Sequence, residues 1–141
     1  MSNSGVASKK PLIVVCIGMK RSGSTLQYNI SRLLLEKNAT VANLGYVDGQ
    51  DLETQINDVP LSTSKAPDFL ILKCHNPAWT IGKNLLKNHK LLYVYRDLRA
   101  VYFSMKLRTN ISIEEFVVEM RESLALYACY EDDTRVLVQK Y

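Results

Sequence analysis

Along the chain, short unbroken apolar runs alternate with longer stretches of helical period. Leu12 to Ile17 is continuous and rich in β-branched residues, the pattern of a strand covered on both faces. Phe69–Leu72 and Leu91–Tyr95 repeat it, and Val136–Val138 reads as a last buried strand. Leu26, Ile30, Leu33 and Leu34 recur at i, i+4, i+7 and i+8, a stripe that predicts a helix running to about Lys37. Asp97 can cap a helix through Val101 and Met105. Ser112 and Glu115 form a capping-box pattern before a long helix with Ile113, Phe116, Val117, Met120, Leu124, Tyr127 and Ala128 on its apolar face. Residues 45–67 lack a period and are expected to form a long, partly helical surface loop. Strands alternating with helices predict a three-layer αβα domain on a parallel sheet, with the first strand near its centre. That domain is expected over residues 11–141, after a disordered tail at 1–10.

Composition narrows the class. A chain of 141 residues, 47% apolar and 23% charged, suits one domain with one core and is neither disordered nor fibrous. No apolar run approaches the roughly 20 residues of a membrane-spanning helix. The net charge of +4 is unevenly placed: residues 1–112 hold fifteen basic and seven acidic groups, residues 113–141 three and seven. A basic body with an acidic tail favours an anionic ligand such as a nucleotide over a long nucleic acid. Three cysteines, Cys16, Cys74 and Cys129, are too few and too far apart for a disulfide framework or a zinc site. Lys9-Lys10 before Leu12–Met19 superficially suggest a signal peptide, but Lys20 and Arg21 stand where small residues and a cleavage site belong. A cytoplasmic location is therefore expected, where sequons at Asn29, Asn38 and Asn110 carry no meaning.

The first strand runs into Gly18-Met19-Lys20-Arg21-Ser22-Gly23-Ser24-Thr25. This matches the phosphate-loop template, with Ser24 in place of its lysine. Glycines let the backbone wrap an anion, and the following helix aims free N–H groups at it. The lysine that reaches the β- and γ-phosphates of a nucleoside triphosphate is missing, while Lys20 and Arg21 add charge inside the loop. A cysteine-based phosphatase is a rival, since Cys16 precedes Arg21 in a similar loop. In low-molecular-weight tyrosine phosphatases five residues separate that pair; here four do. One residue fewer breaks the loop that sets the thiolate beneath the phosphate, and Cys16 reads as a buried strand residue.

Two further constellations lie at predicted strand ends. Lys73 and His75, two apart, point to the same side if the extended backbone continues, pairing a cation with a titratable base. Arg96 ends the next strand, and Ser104 follows the Asp97 cap by about two helical turns, so both could clamp a second phosphate. All three motifs fall at the carboxyl ends of predicted parallel strands, where open α/β sheets bind ligands.

Together these residues resemble the sulfotransferases that use 3′-phosphoadenosine 5′-phosphosulfate (PAPS). Their 5′-phosphosulfate loop is similar to Arg21-Ser22-Gly23-Ser24-Thr25, and their Lys-x-His segment to Lys73-Cys74-His75 with Pro77 beyond. Their 3′-phosphate arginine and serine, eight apart, match Arg96 and Ser104, and a final strand leading to a tyrosine resembles Val136–Tyr141. The resemblance implies the sulfotransferase variant of the phosphate-loop nucleoside-triphosphatase fold. It also implies sulfuryl transfer from PAPS to a hydroxyl or amine of a small-molecule or carbohydrate acceptor, leaving adenosine 3′,5′-bisphosphate (PAP). Backbone N–H groups of Ser22, Gly23, Ser24 and Thr25 would hold the 5′-phosphate, and Arg96 with Ser104 the 3′-phosphate. Arg21 and Lys73 would stabilise charge on the leaving group, and His75 would act as base. No metal is required, because cations and amides supply the electrostatic stabilisation.

The loop arginine resembles carbohydrate-type members, in some of which a carboxylate is the base, so Glu53 or Asp51 competes with His75 for that role. The resemblance also implies a C-terminal segment after Tyr141, so a fragment or a shortened member is expected. An uncovered sheet face would then allow self-association; no nucleic-acid or membrane partner is expected. The alternatives are a phosphate-loop kinase acting on a nucleotide or small molecule, which the lysine missing at Ser24 disfavours, and a catalytically incomplete nucleotide-binding module.

Overall fold

A computed structural model describes residues 10–48, 51–59, 66–75, 89–129 and 132–141. Nearly all of the expected N-terminal tail, together with Asn76, Pro77 and the side chain of Glu53, lies outside the described residues. Among the described residues, five strands form one sheet in the order β2-β3-β1-β4-β5: β1 (Leu12–Gly18), β2 (Val41–Tyr46), β3 (Phe69–Lys73), β4 (His89–Tyr95) and β5 (Val136–Lys140). Every pairing is parallel. The continuous apolar runs explain the arrangement: β1 has both neighbours, and Val15, Cys16 and Ile17 are fully buried.

Helix α1 (Ser24–Asn38) covers one face, where Tyr28 and Leu35 meet Val14, Cys16 and Ile71. The other face carries α2 (Leu52–Asn57) and α4 (Ile113–Ala128), through Leu52, Ile56 and Leu126 against Ile13, Val15, Ile17 and Tyr93. Helix α3 (Leu98–Thr109) packs on α4 at one end, with Met19, Val101, Met105, Phe116 and Met120 as a second cluster. The three-layer parallel architecture follows the expectation.

Both predicted caps form. Asp97 accepts hydrogen bonds from the backbone N–H groups of Arg99 (3.0 Å) and Ala100 (3.3 Å). Ser112 Oγ accepts from Glu115 N (3.1 Å) while a Glu115 carboxylate oxygen accepts from Ser112 N (2.9 Å). Ser112→Ala should therefore cost about 1 kcal/mol of stability. A chemical denaturation midpoint unchanged by this substitution would contradict the role of the cap.

Three readings need correction. The stripe on α1 is exposed: Leu33 and Leu34 are 58% and 60% accessible, while Ser24, Gln27 and Tyr28 are buried. Polar contacts fix that side inward, since Tyr28 OH donates to Asn43 Oδ1 on β2 and Gln27 Nε2 donates to Gln139 Oε1 on β5 (3.2 Å). Strand β5 is an edge strand rather than a buried one, with Leu137 62% accessible. Part of the expected 45–67 loop belongs to β2, the opposite edge. Its ladder is irregular between Asn43 and Gly45, where Gly45 adopts a left-handed φ of 70°.

Candidate functional site

The chain leaves β1 toward β2 and β3 on one side and places β4 on the other, so the sheet reverses direction beside β1. A crevice is expected at that reversal, beyond the strand ends. Gly18 pairs with Val94 there, and Met19 N donates to Val94 O (3.2 Å). Ser22 locks the loop down: its hydroxyl donates to Met19 O (2.6 Å) and Val94 O (3.0 Å), and its N–H to Met19 O (3.2 Å). Ser22 is fully buried. The expectation that its N–H faces a ligand is therefore corrected, because the loop itself consumes that donor.

The donors that remain sit one residue later. Gly23, at a left-handed φ of 92°, turns the chain into α1, which has no side-chain cap. The first N–H groups of a helix have no intrahelical acceptor, so those of Ser24 and Thr25 project with the positive end of the dipole. Lys73, last residue of β3, brings an ammonium to the same point, donating to Thr25 Oγ1 at 2.6 Å. Burial pulls the Lys73 ammonium below the usual lysine range. This lysine arrives from a neighbouring strand, into the loop whose template lysine Ser24 replaces.

A cleft of about 1020 Å³ opens over this point. Its floor is Gly23, Ser24, Thr25, Lys73 and His75, and its cations are Lys20, Arg21, Lys73, Arg96 and Arg108, against Glu115 and Glu119. Lys73 and His75 share the cleft, as their two-residue spacing predicts. His75 Nδ1 lies 3.3 Å from Gly18 O. A carbonyl can only accept, so Nδ1 carries the proton and Nε2 keeps a lone pair. Burial, followed by the charge of Lys73, holds the imidazole below its ordinary pKa.

Arg96 and Ser104 are placed differently from the sequence reading. Arg96 lines the cleft with its guanidinium 5.4 Å from the Tyr141 ring centroid. The Ser104 hydroxyl instead accepts from Arg21 Nε (3.0 Å), tying the loop to α3. Arg21 itself has a left-handed φ of 62°. Arg108 was missed, although it follows Ser104 by one helical turn and so shares its face. Tyr141 also lines the cleft, its ring packed over Gly23. Asp51 precedes α2 without a side-chain cap hydrogen bond and is exposed, and it lines neither this cleft nor the smaller cavity beside His75. Cys16 is buried, and its thiol is pushed up to about 12. That agrees with its reading as a strand residue and not a nucleophile.

A family model described as "Sulfotransferase domain" matches residues 12–127. The chain belongs to the sulfotransferase domain family. Solved structures agree on the fold of this sulfotransferase-domain chain. Mouse sulfotransferase SULT7A1 complexed with PAP superposes with a TM-score of 0.57 at 12% identity, covering 92% of this chain and 51% of that one. This chain thus spans about half the length of the mouse protein. TT1252 from Thermus thermophilus gives 0.53 at 17% identity, covering 93% and 90% of the two chains. Shikimate kinase from Bacteroides thetaiotaomicron gives 0.51 at 8% identity, covering 92% and 85%. A search of curated protein sequences returns no match. Among the described residues, no helix of this sulfotransferase-domain chain is long and apolar enough to cross a membrane, and no cluster of three or more His, Cys, Asp or Glu side chains could hold a metal ion.

Proposed function

We propose that the chain binds PAPS in the large cleft and transfers its sulfuryl group to a hydroxyl or amine acceptor. What carries this reading is the meeting of Lys73, the α1 N-terminus and a proton-accepting His75 at one point of a cationic cleft. The N–H groups of Ser24 and Thr25 hold the 5′-phosphate, and Arg21 and Lys73 take up the negative charge that grows on the bridging oxygen. Arg96 and Arg108 supply the charge for a 3′-phosphate, and Ser104 positions Arg21. His75 Nε2 removes the acceptor proton as the new oxygen–sulfur or nitrogen–sulfur bond forms. The old sulfur–oxygen bond breaks with its electron pair left on the 5′-phosphate, giving PAP. The mouse structural neighbour complexed with PAP supports this choice of nucleotide. A kinase reading is disfavoured because the Thr25 hydroxyl, which a kinase loop offers to Mg²⁺, already accepts from an ammonium.

The test is ligand choice. PAP should bind more tightly than AMP by roughly 10- to 100-fold, the effect of a charge-assisted contact of about 1.5–3 kcal/mol. Calorimetry giving equal affinities would sink the reading, and a preference for Mg-ATP would favour the kinase.

A further inference from the structure

The apolar stripe that α1 keeps out of the core forms one wall of a groove. Leu26, Ile30, Leu33 and Leu34 are between 48% and 60% accessible. The stripe carries no charge, and the nearby Arg32 is held by Glu36 one turn on. Gln27 gives the stripe its direction, because it reaches Gln139 on β5. Ile30 and Leu34 follow Gln27 at i+3 and i+7, so they lie on the β5 side of the helix. Leu92 packs in the α1 cluster, and Leu137, its register partner on β5, shares that face of the sheet. These two leucines floor the groove, Leu92 half-buried and Leu137 exposed. Among the described residues, α1 is the only helix on this face, since α2 and α4 pack on the other and α3 packs on α4. The groove has a helical wall, an apolar floor and no opposite wall.

We propose that a second copy of this chain fills the groove, in a two-fold dimer whose α1 helices lie antiparallel in one layer between the two sheets. Each copy offers a ridge directly beside a groove. A two-fold axis next to Ile30, the middle of the stripe, sets each ridge into the groove of the other copy. Helix α1 then packs on β1 and β3 of its own sheet and on β4 and β5 of the other copy. An apolar arc of roughly 100° can meet a helix and a sheet at once. The chemistry selects this occupant: a nucleic acid or an anionic lipid surface would need cations alongside the stripe to meet its charge. Antiparallel packing is favoured because Lys37 on α1 and Lys90 on β4 mark the same end of the groove, and this arrangement keeps the two copies' lysines apart. A 15-residue helix is about 22 Å long and 10 Å across. Ridge and groove together cover roughly 22 by 20 Å per copy, a large apolar patch for a soluble monomer and the small end of stable interfaces. The dimer is therefore weak, with a dissociation constant on the order of 10 μM.

Sedimentation velocity of the full chain, from about 1 to 200 μM, decides it. A monomer–dimer equilibrium is expected, and high salt should leave it unchanged or tighten it, since no ion pair holds the copies together. Ile30→Glu and Leu137→Lys should each weaken association by roughly ten-fold or more. An equimolar mixture of Ile30→Glu and Ile30→Lys should recover the association that neither variant shows alone, because the two-fold axis brings position 30 against itself. Leu107→Glu, at an 87% accessible site on α3 away from the groove, should change nothing. If Ile30→Glu proves unfolded by circular dichroism, Leu33→Glu on the same stripe takes its place with the same expected loss. A chain that stays monomeric throughout or grows past the dimer overturns the proposal. So does a dimer that survives Ile30→Glu and Leu137→Lys, dissociates in salt or yields to Leu107→Glu.

Discussion

Alanine at position 75 is expected to lower sulfuryl transfer by roughly 10²–10⁴-fold, while PAP affinity stays within about three-fold of that of the unsubstituted chain. The two effects separate because the phosphate ligands, the α1 N-terminus and Lys73, come from other residues. His75 is prepared for the base role by position and by charge. Gly18 O fixes the Nδ1 proton, leaving Nε2 to accept. Burial, Lys73 and Lys20 all push the imidazole below its ordinary value of about 6.5, so it is neutral at pH 7. Acidification through the lowered pKa protonates Nε2 and removes the base. The profile of kcat/KM should therefore fall on the acid side of about pH 6.5 and be level above it until the Lys73 ammonium, itself lowered by burial, starts to lose its proton. In His75→Ala that acid limb should disappear, which loss of folding alone would not produce. Unchanged turnover in the variant would move the base role to a carboxylate.

Gly18→Ala should produce the largest loss of stability. A Cβ at Gly18 would lie 2.3 Å from Val94 O and 2.7 Å from Val94 Cγ1. Both atoms belong to β4, which β1 and β5 hold on either side, so the neighbour cannot retreat without breaking a ladder. Overpacking of an interior typically costs 1–3 kcal/mol, and a backbone carbonyl at this distance argues for the upper end, about 3 kcal/mol. For a chain of this length that corresponds to a fall in Tm of about 10 °C. PAP binding should weaken as well, because Ser22 ties the loop to the same Val94 carbonyl. Gly45→Ala provides the contrast. Nothing lies within 4 Å of a Cβ there, so only the left-handed backbone is strained, at about 1 kcal/mol. Equal melting temperatures for the two variants would contradict this account.

The sequence by itself determined the layers, the central strand and the strand-end motifs. Continuous apolar runs mean strands buried on both faces, and β1, β3 and β4 are those runs. The loop at Gly18–Thr25, the Lys73/His75 pair and both helix caps were legible because backbone needs and spacing are local properties. Four features were decided only by the tertiary structure. Strand β2 is marked by no strong alternation, and its pairing with β3 supplies the hydrogen bonds that an isolated edge segment lacks. The inward side of α1 was set by Tyr28 and Gln27 finding partners on β2 and β5, against the apolar stripe. Ser104 went to Arg21 rather than to a shared site with Arg96, and Ser22 was consumed by the loop it was expected to serve. The smaller cavity beside His75 joins Asp48 after β2 to Glu119 and Glu122 on α4, residues some seventy positions apart. Periodicity reports which residues can share a face. Which face meets which, and which donors are already spent, depends on contacts between segments distant in the chain.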